Sequence, residues 1–582
     1  MSARPKPAFW LAVLVVIGGL LWFAVHRAQG GNPLLRGVGL VAPPKGSSSQ
    51  GASPNEPSPP AEELELSLYS SSAKKSWTTQ MVEAFNAARH QVSGRVIRVK
   101  VTHVESGQSL DDLESGRIQP DLWSPGDESW IQLANSHWRN VHQRELIESH
   151  QPLLQVPLVI AMWEPMARAL GYPKPIGWKD IARLAAAPGG WATLRHPEWG
   201  RFRWGHAHPD ANSGFLAIIS EVYAALGKRD GITPQDLKNP KVVQFLREIE
   251  GAVEHYGLSN SWIDDLMHLK GPSYLSCAVQ YENTIIESNE KHRNRPFKLV
   301  ALYPSEGMFW TQHPIAVLNE SWVTPDKAAA GAKVIEFLLS KEAQTRAMEL
   351  GLRPVRQDVA LAAPFDEAHG VATEVSRTQS FTVPEEGVLK RIRDLWEDVK
   401  LPATVVMIID RSGSMNGEPM DSARGAAADF VKNMKPRDMI SVITFNNQIS
   451  EVVPLCEVRQ CGERAVGQIN GIFAEGGTSL HDAVAQSYAR LRQQMASDAR
   501  RRYSVLLLSD GKDTSSAVKR HDFLDALPTG EQVDVPKIFS IAYGSQADRD
   551  LLAEISNRTN ARVFKSSPEE IQKTYKELSA NF

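Results

Sequence analysis

The strongest constraint on this chain is a set of short apolar runs, each ended by a polar turn and followed by a segment of helical spacing. "ATVVMIID" (Ala403–Asp410), "DMISVITF" (Asp438–Phe445), "YSVLLLSD" (Tyr503–Asp510) and "KIFSIAYG" (Lys537–Gly544) are of this kind. Runs this continuous leave no polar face, so they predict strands buried on both sides. The segments between them, Asp421–Lys435, Ser479–Arg492 and "RDLLAEISN" (Arg549–Asn557), predict the covering helices, and "ARVFK" (Ala561–Lys565) a closing strand. The expectation is an α/β unit with a mainly parallel sheet.

The same rhythm starts once before. "LELSLYSSS" sets Leu64, Leu66 and Leu68 on one face and stops in a serine cluster; "SWTTQMVEAFNAARH" then has helical spacing. "RVIRVKVTHV" and "PLVIAMW" read as strands, "PIGWKDIARLAA" and "FLAIISEVYAALGK" as helices, and "AAAGAKVIEFLLSKEAQTRAMELG" as one helix ending at Gly351. A length of 582 residues exceeds one ordinary core. "VLKRIRDLWEDV" joins the two units, with Leu389, Ile392 and Trp396 on one face.

The predicted organisation is an anchor or signal sequence over 1–28 and a Pro/Ser/Gly-rich linker over 29–62. A first α/β region follows over 63–382, a connector helix over 383–400 and a second α/β domain over 401–582. Phe9–Val25 carries no charge and has about the minimum length for a spanning helix. Arg4 and Lys6 precede it and favour a cytoplasmic N-terminus; a cleaved signal peptide is the alternative. The expected localisation is the plasma membrane, single-pass, with the folded regions periplasmic or extracellular. A net charge of −3 gives no reason to expect nucleic acid.

Asp410 and Asp510 each end an apolar run, and in an open parallel sheet ligands sit beyond the carboxyl ends of the strands. Ser412 and Ser414 follow Asp410 at alternate positions, and "AEGGTSL" delivers Thr478 to the start of a helix. Two carboxylates and three hydroxyls are hard oxygen donors, suited to Mg²⁺ (or Mn²⁺) with a coordination position left for an outside oxygen. The alternative is that the aspartates only cap turns and helices. The pattern D-x-S-x-S at Asp410, Ser412 and Ser414, with Thr478 and the S-D-G aspartate Asp510, resembles the von Willebrand factor type A domain and its metal-ion-dependent adhesion site. The resemblance implies a Rossmann-like fold in which Ser412, Ser414 and Thr478 bind the metal, with Asp410 and Asp510 direct or through water. It also implies a protein partner that offers an Asp or Glu to the ion.

The first region carries "LYSSSAKKSW", "PDLWSPGDESW", "PLVIAMWEPMARALG", "GHAHPDANSGF", "QYENT" and "GLRPVRQDV" in that order. It resembles an extracellular solute-binding protein of the type II periplasmic class, which implies two α/β lobes around a cleft. Ser70, Ser71 and Ser72, with Ser124 and Ser213 in similar turns, supply hydroxyls and helix-start N–H groups able to hold a small anionic solute, or else cap helices over an unused cleft. Glu282 faces the cleft or pairs with a base. Trp123, Trp163 and Trp310 line the cleft or fill the core. His206 and His208 offer two metal ligands without a visible third, and loop hydrogen bonding is the favoured role for both. Cys277 reads as buried, whereas Cys456 and Cys461 flank a short polar loop as a local disulfide or two free thiols.

The functional expectation is a binding protein, anchored and exported, with metal-dependent adhesion at the C-terminal rim and solute binding in the cleft. A receptor component of a transport system is the alternative. A hydrolase ranks last, since neither Ser412 nor the Ser70 cluster sits in a G-x-S-x-G elbow.

Overall fold

The computed structural model describes residues 62–257, 259–375, 379–529 and 534–579. The first region contains the strands β1 (Glu63–Ser70), β2 (Gln91–Val92), β3 (Arg95–His103), β4 (Leu122–Ser124), β5 (Gln151–Pro152) and β6 (Val156–Trp163). It continues with β7 (Trp204–Ala207), β8 (Val253–Gly257), β9 (Cys277–Tyr281), β10 (Leu299–Leu302), β11 (Trp310–Thr311) and β12 (Pro314–Val317). They form two sheets, ordered β2-β3-β1-β4-β12-β5 and β10-β6-β9-β7-β8, with β11 beside β6. The chain builds most of the first sheet, crosses to the second at β6 and returns through β12, so each lobe has its own mixed sheet. In β1 the predicted alternation holds: Leu64, Leu66 and Leu68 are buried while Glu63 and Glu65 face water.

Local chemistry sets the helices. Asp180 accepts from the Gly177 N–H and opens the helix Trp178–Ala186, as its place in the first turn predicts. Asn212–Leu226 ends at Gly227 in the left-handed conformation, φ +65°. The single helix expected before Gly351 is two, Pro325–Leu338 and Lys341–Glu349. Ser340 breaks the run by accepting from the Ala343 N–H, an N-cap that apolar periodicity does not reveal. The connector helix is Glu386–Val399; it buries Leu389, Ile392 and Trp396 against helices Asn212–Leu226 and Pro240–Glu250. Trp123 and Trp163 are core residues, their indole N–H groups donating to Ser109 Oγ at 3.0 Å and the Leu275 carbonyl at 2.8 Å.

The C-terminal sheet comprises β13 (Ala403–Asp410), β14 (Met439–Phe445), β15 (Ile449–Glu457), β16 (Arg502–Ser509), β17 (Lys537–Tyr543) and β18 (Val563–Ser566), ordered β15-β14-β13-β16-β17-β18. All pairs are parallel except β14 with β15. Val405, Met407 and Ile409 belong to the core on one face and Val406 and Ile408 to the core on the other. This explains the uninterrupted apolar run: every residue of β13 is buried. Cys456, in β15, and Cys461, in the first turn of the following helix, form a disulfide. Cys277 is buried and free.

The expected localisation as a single-pass membrane protein, and the membrane as a partner, are corrected. Among the described residues no helix is long and apolar enough to cross a membrane. The most apolar candidate, Asn212–Leu226, has 15 residues and so spans about 22 Å, short of the ~30 Å hydrocarbon layer. The run Phe9–Val25 and the tether after it lie outside the described residues.

Candidate functional site

The C-terminal rim is built by two loops that leave the adjacent strands β13 and β16 and by the glycine turn between the helices Val458–Asn470 and Leu480–Ser497. Asp410 closes β13 and is fully buried. Its Oδ1 accepts from the Ser412 N–H at 2.9 Å and its Oδ2 from Ser509 Oγ at 2.7 Å. Ser412 Oγ lies 3.1 Å from Ser414 Oγ, which donates to Asp510 Oδ1 at 2.9 Å. The glycine turn joins this chain of contacts: the Gly413 N–H donates to the Gly476 carbonyl at 2.9 Å, and the Thr478 N–H to Thr514 Oγ1 at 2.9 Å. A Cβ placed on Gly511 would stand 3.9 Å from both Ser414 Oγ and Thr478 Oγ1, so these two hydroxyls converge beside Asp510. Gly476 is required here: its φ is +78°, and a Cβ would fall 2.4 Å from Asn447 Oδ1.

The five rim residues therefore share one mouth, half of it open to water through Ser414 and Asp510. Burial pushes the Asp410 carboxyl up to about 6, against the hydrogen bonds from Ser509 and Ser412, and the Asp510 charge adds to the rise. Asp510 is raised too, by burial, with Ser414 opposing. The donor set of two carboxylates and three hydroxyls fits a hard divalent ion. Sequence reading missed Ser509 and Thr514; Ser509 directly precedes Asp510 and was visible as the last residue of its strand. The rim also carries Phe473, 64% exposed, beneath the Arg411 guanidinium at 6.0 Å. Arg411 pairs with Glu475 at 3.1 Å.

In the first region a narrow cleft of about 70 Å³ is lined by Ser71, Ser72, Glu105, Asn212, Ser213, Ser259, Asn260, Tyr281, Asn283 and Glu287, among others. The structure brings three of the expected residues there, Ser71, Ser72 and Ser213, and not the rest. Ser71 caps its own turn and Ser213 donates to Asn260 Oδ1 at 2.7 Å. Ser70 is buried in β1 beneath the turn. Ser124 Oγ donates to the Pro314 carbonyl at 2.8 Å. Glu282 is turned away from the cleft, fully buried, and held by Arg353 at 2.6 Å and 2.9 Å and by Tyr303. Trp310 is not among the lining residues and lies 5.9 Å beneath the Arg353 guanidinium.

The cleft is lined by acids and no base. No Lys or Arg is among its lining residues, whereas Glu105 and Glu287 are. Burial pushes Glu105 up to about 7, with Ser72 and Lys74 opposing, and burial raises Glu287. Lys74 lies below the floor and is committed to the carbonyls of Ser124 and Pro125, at 2.9 Å and 3.3 Å. Glu105 and Glu287 escaped the sequence reading because they lie outside the quoted motifs, and Asn283, inside "QYENT", was not singled out beside Glu282; Asn283 and Glu287 share the helix Glu282–Lys291, one turn apart.

Comparison with known proteins divides the chain at the same place. Residues 404–577 match the von Willebrand factor type A domain and residues 66–353 the bacterial extracellular solute-binding protein family. An uncharacterized protein of Synechocystis sp. is 25% identical over 183 residues, 31% of this chain and 42% of that protein. Inter-alpha-trypsin inhibitor heavy chain H4 of Bos taurus is 28% identical over 120 residues, 20% of this chain and 13% of that protein. This chain thus spans less than half of either relative. The periplasmic binding protein AfuA from Actinobacillus pleuropneumoniae aligns with a TM-score of 0.41 at 14% identity, covering 57% of this chain and 98% of that one.

Proposed function

Because this chain joins a bacterial extracellular solute-binding protein region to a von Willebrand factor type A domain, we propose that it is a binding protein with two sites. The C-terminal rim holds Mg²⁺ (or Mn²⁺) through Asp410, Ser412, Ser414, Thr478 and Asp510 and grips an acidic residue of a protein partner. The observation that carries this reading is the continuous contact chain Ser509–Asp410–Ser412–Ser414–Asp510, with the Thr478 hydroxyl converging on it. When bound, the ion supplies an electrophilic position for a carboxylate oxygen. Phe473 gives the partner an apolar anchor beside that position.

The cleft takes a small polar solute. The absence of basic side chains from its lining, together with Glu105 and Glu287, favours a neutral or cationic solute over the anion read from the serines. Its volume falls below the ~300 Å³ of ordinary small-molecule sites, so the solute is small or the lobes part to admit it.

The test is calorimetric titration of the full chain with Mg²⁺ and Mn²⁺, beside a partner capture run with each ion and with chelator. Metal uptake lost in Asp410→Ala, and capture lost with chelator, support the reading. Equal uptake by the wild type and Asp410→Ala returns the aspartates to the role of caps.

A further inference from the structure

The sequence pairs His206 with His208, but the structure separates them. His208 turns to Asp210 at 3.2 Å, while His206 points into the first region and meets two acids from distant helices. Glu221 lies in the helix Asn212–Leu226 and Glu250 ends the helix Pro240–Glu250; His206, Glu221 and Glu250 are all 0% exposed.

The hydrogen bonds around this cluster fix which atoms face inward. His206 Nδ1 stands 2.8 Å from the Ala207 carbonyl, which only accepts, so Nδ1 carries the proton. Nε2 faces Glu250 Oε1 at 3.1 Å, either donating a second proton to it as an imidazolium or, in the neutral ring, presenting it a lone pair. Two acceptors at that distance need a cation or a proton between them. Glu250 Oε2 is already occupied, accepting from Tyr256 Oη at 2.7 Å and from the Trp396 indole N–H at 3.0 Å. Among the described residues no donor reaches either oxygen of the Glu221 carboxyl, whose only hydrogen-bonding neighbour is the Glu250 carboxyl, itself an acceptor unless a proton is shared. One ligand atom from each of the three residues lies within 4.8 Å of the others.

We propose that His206, Glu221 and Glu250 form a second, buried metal site, for a divalent first-row ion of which zinc fits best. One imidazole nitrogen and two carboxylates are a zinc donor set. Metal–ligand bonds of about 2.0–2.1 Å at tetrahedral angles put ligand atoms about 3.3 Å apart, close to the 3.1 Å of His206 and Glu250. A histidine that donates its other N–H to a carbonyl, and a carboxylate steadied on its outer oxygen, are the supports metal ligands usually have. Two carboxylates neutralise the ion, so no net charge is buried. Since Trp396 belongs to the connector helix, the ion also fastens that helix to the first region.

The experiment uses the full chain carrying Asp410→Ala, which silences the C-terminal rim and keeps the two metal readings separable. The chelator-treated protein is titrated with Zn²⁺, then loaded with Co²⁺ for its visible spectrum. Stoichiometric zinc, a raised melting temperature and a low-coordinate cobalt spectrum are expected. Glu221→Gln, which keeps the size and removes the charge, should lose all three. Trp396→Phe, which leaves the three ligands in place, should weaken zinc by about 10–100-fold. Absence of tight zinc in the parent, or zinc uptake by Glu221→Gln equal to it, overturns the site. The cluster would then be a buried acid pair and histidine sharing protons.

Discussion

Asp410 must be buried to sit on the sheet and charged to hold an ion, and these demands conflict. Two hydrogen bonds resolve part of the conflict, from Ser509 Oγ at 2.7 Å and the Ser412 N–H at 2.9 Å. A cation would resolve the rest. Asp410→Ala should therefore abolish the heat of Mg²⁺ binding. Thr478→Ala, which removes one neutral ligand, should weaken it by about tenfold, or ~1.4 kcal/mol, with unchanged circular dichroism. Phe473→Ala should lower partner capture and leave metal uptake alone. The cleft has its own pH signature. Glu105 is raised from 4.5 to about 7, so it is ionised only above that pH. Burying it costs stability progressively as pH rises from 4.5 to about 7, whereas a cationic solute gains its counter-charge only as pH rises through about 7. Solute affinity should fall as pH drops through 7 and become flat in Glu105→Gln, read by titration at several pH values. The rim was legible because each residue ends a strand or a turn that the sequence itself marks. Glu282 was legible only as a choice between the cleft and a base, because the base that settles it, Arg353, lies 71 positions away.

Strand β13 shows why elements were more legible than contacts. Its apolar run is explained by helices on both faces, and Ile408 at 0% exposure packs with Val505, Leu507 and Ile538 on one of them. Ile408→Ala should cost about 2–5 kcal/mol in denaturant unfolding. A cost below 1 kcal/mol would mean that the site collapses without strain. The edge strand β15 and the helix Val458–Asn470 were missed, because β15 is half-exposed with no clean alternation. The connector helix was visible from its apolar stripe, but its polar anchors were not. Arg393 meets Asp210 across 183 positions. Burial would raise the Asp210 carboxyl, yet His208 and Arg393 outweigh it and hold it well below its usual value. A depressed carboxylate contributes stability above its unfolded value near 3.9, lost as pH falls below it. The difference in stability between the wild type and Asp210→Asn should be present at neutral pH and shrink in acid. A difference independent of pH would assign the contact to packing alone.

The whole molecule is held together by charged groups that donate to backbone across the junction of its two parts. Arg502, at the start of β16, donates to the carbonyls of Val253 at 2.7 Å and Glu254 at 3.2 Å, and its guanidinium lies 4.5 Å above the Tyr256 ring. The Glu254 carboxylate is shared between Lys537 of β17 at 2.7 Å and Arg203 of the first region at 3.4 Å. Hydrogen bonds from a charged donor contribute about 1.5–3 kcal/mol each and a cation over a ring about 0.5–2. Arg502 thus contributes to the coupling between parts that otherwise have separate cores, beside Arg203 on Asp534 and the Lys270 and Tyr274 donors to the Asn557 and Asn560 carbonyls. Calorimetry of the wild type should show the two parts melting together, with Mg²⁺ raising the common transition. In Arg502→Ala the transition should split, and Mg²⁺ should then raise only the component that contains Asp410. A single transition in the variant, still raised as a whole by Mg²⁺, would show that the junction does not depend on Arg502 and that the linkage runs through the connector helix and Trp396.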